Sequence, residues 1–84
     1  MLYKDEKDFL IKNIKLGKSA NELVDMSFDY GLDGDKIYRI INNLLYNELI
    51  TMFNTGLTND VSDAVIHIWT SDDKLFDAIN KYRE

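Results

Sequence analysis

The sequence contains neither cysteine nor proline. Without thiols, no disulfide and no thiolate metal site can hold the fold, so stability must come from packing alone or from packing plus dimerisation. The absence of cysteine also fits an intracellular protein. Histidine is reduced to His67. One imidazole with scattered carboxylates makes no recognisable metal site, and no serine stands with it in a nucleophile motif. Catalysis, a metal and a cofactor are therefore not expected. No apolar run approaches the roughly 20 residues of a membrane span, and the charged opening MLYKDEKDF lacks a signal-peptide core. A cytoplasmic protein with no membrane partner is the expectation. Cations are missing over a long stretch too: no Lys or Arg lies between Ile40 and Asp73.

What is present is a chain of 84 residues, 45% hydrophobic and 30% charged, which is a globular composition for one domain spanning residues 1–84. There is no linker, repeat or low-complexity tract. The net charge is −5. A nucleic-acid binder needs Lys and Arg to displace counterions from phosphates, although only the contacting face must be basic. The cations are gathered in three places. Lys4, Lys7, Lys12, Lys15 and Lys18 lie in the first quarter, Lys36 and Arg39 in the middle, and Lys74, Lys81 and Arg83 near the end.

Hydrophobic spacing predicts a first helix over about Lys4 to Leu16, with Leu2, Phe9, Leu10 and Ile14 as its apolar stripe and Gly17 as its stop. Ser19 with Glu22 forms a capping-box pattern for a second helix that ends near Tyr30, where Gly31 supplies a left-handed turn. Its stripe is Ala20, Leu23, Val24 and Ser27 or Phe28. Asp33 caps a third helix that buries Ile37, Ile40, Ile41, Leu44, Leu45 and Leu49. Asp35, Lys36, Tyr38, Arg39, Asn42, Asn43 and Tyr46 lie away from that stripe. The period then becomes two. Ile50 to Asn54 and Ala64 to Thr70 read as strands joined by a tip rich in Gly, Asn, Asp, Thr and Ser. Thr70 or Ser71 caps a last helix, about residues 71–83, with Leu75, Phe76, Ile79 and Tyr82 on its apolar side. The fold class is mainly α with a small β-hairpin, in the order α-α-α-β-β-α.

With the stretch ANELV…GLDGDKIYRIINNLLYNELI, this order resembles the winged helix-turn-helix superfamily. The similarity is to small bacterial and phage regulators whose second and third helices read roughly AxELA…GLxxxTVYRxLxxLxxxGLI. Ala20, Glu22, Leu23, Val24, Gly31, Leu32, Ile37, Tyr38, Arg39, Ile40, Leu44, Leu45, Leu49 and Ile50 carry it. Two departures stand out. The span from Ala20 to Gly31 is about one helical turn longer than the family pattern. Glu48 stands where the family has Gly before Leu-Ile, which predicts a less sharp exit from helix to strand. The resemblance implies a winged helix whose third helix faces a DNA groove.

Two functions follow for a non-enzymatic regulator or inhibitor of phage or mobile-element type. In the DNA-binding alternative, Lys36, Tyr38, Arg39, Asn42 and Asn43 enter the major groove while Lys15 and Lys18 grip phosphates. The preferred reading is docking onto a protein, such as transcription or host-defence machinery. The hairpin tip lacks a cation and carries Asp60 and Asp63, which a phosphate backbone would repel. On the second strand, Val65, His67 and Trp69 share one face and Ala64, Ile66 and Ile68 the other. Either the first of these faces is open to a partner, or the last helix covers it with Phe76 and Tyr82; the covered arrangement is slightly preferred. The last helix closes the core or serves a homodimer. Gly31-Leu32-Asp33-Gly34-Asp35 lacks the spacing of a Ca²⁺ or phosphate loop, and a turn plus an N-cap accounts for it.

Overall fold

The computed structural model of the chain describes residues 2–53 and 64–83. Helix α1 spans Glu6–Asn13 and runs into a 3-10 turn, Ile14–Leu16. It is followed by α2 (Ala20–Phe28), α3 (Gly34–Tyr46), strands β1 (Ile50–Phe53) and β2 (Val65–Ile68), and α4 (Asp72–Lys81). The expected order is observed.

Each helix starts on a side-chain cap that satisfies amides the helix itself leaves unpaired. The Asp5 carboxylate accepts from the Asp8 amide and Ser71 Oγ from that of Lys74. Asp33 accepts from the amides of Asp35 and Lys36. Ser19 and Glu22 form the full reciprocal capping box. Helix ends are set by backbone conformation. After α2, the Gly31 amide donates to the Phe28 carbonyl and the Leu32 amide to that of Ser27, with Gly31 at φ 70°. These are the two bonds of a Schellman closure.

The same closure ends α3, against the expectation of a softer exit. The Glu48 amide donates to the Leu45 carbonyl and the Leu49 amide to that of Leu44, while Glu48 itself sits at φ 61°. The turn is therefore as tight as a glycine would make it, held by a residue with a Cβ. Gly34 is no turn glycine. A Cβ there would lie 2.8 Å from side-chain atoms of both Val24 and Phe28, so its bare backbone lets α2 lie close on the start of α3.

The core gathers Phe9, Leu10 and Ile14 of the first helical segment, Ala20 and Leu23 of α2, and Ile37, Ile40, Ile41 and Leu44 of α3. Ile50 and Ile66 of the hairpin and Leu75 and Ile79 of α4 complete it with Leu32. Leu45 and Leu49, expected on the buried face, are half-buried at its edge. Ser27, not Phe28, fills the inward position of α2. Leu2 is exposed rather than part of the α1 stripe, and Tyr3 takes that place by packing edge-on against Phe9 and Tyr30.

β1 and β2 pair antiparallel in the register Ile50–Ile68, Thr51–His67, Met52–Ile66 and Phe53–Val65. A third short piece joins them, because Ser19 bridges to Val65 and the Ile66 amide donates to the Lys18 carbonyl. α4 packs on α1 and α3, which corrects the preferred expectation that it covers the outer face of β2. Its Leu75 and Ile79 are needed inside the core, which directs the helix away from the hairpin.

Candidate functional site

Strand alternation puts Ile66 into the core and leaves Val65, His67 and Trp69 on the other side of β2. Of these, His67 and Trp69 are exposed and Val65 is half-buried beside Ser19. Trp69 is 66% exposed, a large apolar side chain to leave in water. It is nevertheless held in place. Its indole N–H donates to the Thr51 hydroxyl on the neighbouring strand, and its backbone N–H donates to the Leu49 carbonyl at 3.0 Å. An indole held by its own hydrogen bond, on a backbone tied to the neighbouring strand, loses little further freedom when something packs on it.

Tyr46, 87% exposed, ends α3 just before Leu49. The sequence places it on the polar side of α3, and the structure makes it a second exposed aromatic, three residues before Leu49. The available signal was an aromatic on an otherwise hydrophilic helix face. Asp60 and Asp63 lie outside the described residues.

The residues of the DNA alternative do not form one cationic surface. Lys15 Nζ lies 2.8 Å from an Asp72 carboxylate oxygen, Lys18 3.6 Å from Glu22, and Lys36 3.9 Å from Glu6. Each candidate lysine thus faces a carboxylate of its own chain. The Lys15 and Lys18 pairs are largely solvated and contribute at most about 1 kcal/mol each, whereas the Lys36–Glu6 pair is less exposed. They matter for the field presented to a partner rather than for stability. Tyr38 is half-buried against the core instead of outward. Arg39, Asn42 and Asn43 are exposed, as expected. On the helical wheel Arg39 and Asn42 share the outward stripe with Asp35 and Tyr46, so that stripe carries one charge of each sign.

Among the described residues no group of three or more His, Asp or Glu could hold a metal ion, and no helix is long and apolar enough to cross a membrane. One carboxyl is displaced from its ordinary titration. Asp8 is held below the usual 3.8, chiefly by the hydrogen bond from the Lys4 amide and further by Lys12, with partial burial opposing. Asp8 belongs to the start of α1 and to no site.

Fold and exposed surfaces together define a mainly helical protein with a small antiparallel sheet and an exposed tryptophan on its outer strand face. No protein-family model matches the chain, and comparison with curated proteins and with solved structures finds no match.

Proposed function

We propose that the chain is a winged-helix module, without enzymatic activity, that docks onto a protein partner through the outer face of its hairpin. The winged-helix part is supported by the α2–turn–α3 pair, the hairpin that follows, and the short third piece that Lys18 and Ser19 add beside β2. The docking part is carried by one observation: on the outer face of β2, His67 and Trp69 are exposed, with Trp69 held by its indole hydrogen bond and 66% exposed. Interface hot spots are enriched in tryptophan, and a pre-positioned ring is the type of anchor they use. The charge distribution favours the same reading, because Lys15, Lys18 and Lys36 are each answered by a carboxylate.

The test is affinity capture from a nuclease-treated extract of the source cell, with wild type and two surface variants. A discrete protein retained by wild type and by Arg39→Ala, but lost with Trp69→Ala, is the expected result. Equal recovery with Trp69→Ala would remove the docking face from the proposal.

A second reading, a DNA-binding regulator, is favoured by the exposure of Arg39, Asn42 and Asn43 on α3. It requires a salt-dependent complex with duplex DNA that Arg39→Ala abolishes.

A further inference from the structure

Helices α1, α3 and α4 meet around an open cleft of about 450 Å³ lined by Lys7, Lys36, Asn80, Tyr82 and Arg83. α1 supplies Lys7, α3 supplies Lys36, and the end of α4 with the chain beyond it supplies the other three. Among the described residues that line it, three of five are cations, in a chain of net charge −5.

Lys7 Nζ donates to the Asn80 carbonyl at 3.0 Å. An ammonium has three donors, so two remain for another acceptor. Lys36 is paired with Glu6 at 3.9 Å, an ion pair without a hydrogen bond, so its ammonium donors can turn to a multiply charged anion in the cleft more readily than to a singly charged backbone phosphate. The other oxygen of Glu6 accepts the Asp33 amide at 2.9 Å, which divides that carboxylate between two tasks. Arg83 brings a planar fork that suits a phosphate oxygen pair. Tyr82 packs partly on the core and gives the cleft a fixed wall.

We infer that this cleft binds the phosphate or pyrophosphate group of a small anion, held by Lys7, Lys36 and Arg83. Its volume is within the roughly 300–1,000 Å³ of small-molecule sites. A nucleic-acid backbone is a poorer fit, since its phosphates run in a line and call for an extended track of cations, whereas these three line one cleft. The site shares no residue with the hairpin face, so it stands or falls independently of protein docking.

A ¹H–¹⁵N NMR titration of the full chain tests it, with inorganic pyrophosphate and with ADP in parallel, against potassium chloride of matched ionic strength. Saturable shifts at Lys7, Lys36 and residues 80–83 are expected by about 10 mM ligand. Lys36→Gln and Arg83→Ala should each weaken binding by about tenfold, the loss of one charge-assisted hydrogen bond. Tighter binding of ADP, with movement of the Tyr82 ring resonances, assigns a nucleotide-like source. Equal binding assigns the bare anion, and both uphold the site. Shifts that do not saturate, shifts spread evenly over all lysines, or a response to duplex DNA alone overturn it; so does full binding by both variants, because a cation cluster serving only the carbonyl end of α4 would behave that way.

Discussion

At the scale of single residues, the two closures ending α2 and α3 make an internal comparison. Their hydrogen bonds correspond, yet one places Gly31 at φ 70° and the other Glu48 at φ 61°. A side chain in the left-handed region costs about 1 kcal/mol or more, and glycine avoids that at the expense of a freer unfolded chain. Glu48→Gly should therefore raise stability by up to about 1 kcal/mol, read as a higher urea midpoint with an unchanged slope. Gly31→Ala should lower it by about 1 kcal/mol, with open space around the new Cβ leaving backbone strain as the cause. If Glu48→Gly destabilises instead, the glutamate side chain must contribute more than the strain removes. Asp8 offers a pH test of the start of α1. Its folded pKa is depressed, so its contribution is present above the unfolded value and is lost as pH falls through the folded one. Carboxyl NMR should place its midpoint below 3.8, and Asp8→Asn should flatten the acid limb of the stability curve. A midpoint at or above 3.8 would remove the Lys4 amide bond from the account.

At the scale of elements, the caps were legible because they depend on residues two or three apart. Ser19 with Glu22, Asp33 and Ser71 act where the sequence places them. The α3 stripe was legible for the same local reason: Ile37, Ile40, Ile41 and Leu44 follow the helical period and all are fully buried. What spacing does not encode is where an element docks. Phe76 and Tyr82 could have turned toward the hairpin on periodicity alone, but α4 lies on α1 and α3. Nor does spacing reveal that Tyr3, before α1, meets Tyr30, after α2, with ring centroids 4.9 Å apart. Since α4 completes the monomer's own core, Leu75→Ala or Ile79→Ala should cost about 2–5 kcal/mol. That is a large share of the 5–10 kcal/mol roughly available to a domain of this size. Both transitions should be independent of protein concentration; a midpoint that rises with concentration would show that α4 also serves a dimer.

At the scale of the whole molecule, the candidate site was half legible. Alternation along β2 identified Val65, His67 and Trp69 as one face, but whether anything covered that face depended on α4. The cationic candidates were correct in type and misleading in effect, because Glu6 and Asp72 come from other parts of the chain to meet Lys36 and Lys15, and Glu22 meets Lys18 four residues before it. This pairing makes the electrostatic argument testable by gain of function. Replacing Glu6 and Glu22 by Gln and Asp72 by Asn removes three negative charges from a chain at −5, leaving −2, and uncovers three lysines. Wild type should show no complex with duplex DNA at about 50 mM salt, where phosphate contacts are strong. The triple variant should bind weakly and without sequence preference, its affinity falling with salt at a logarithmic slope near −3, about 0.9 for each released cation. The Glu22 and Asp72 substitutions are at exposed pairs and should each cost within about 1 kcal/mol, and Glu6→Gln keeps an amide oxygen to accept from the Asp33 amide, so the folded state should persist. If wild type already binds DNA with the slope predicted for the variant, the carboxylates do not mask the lysines. The third helix, and not the hairpin face, would then be the surface on which function rests.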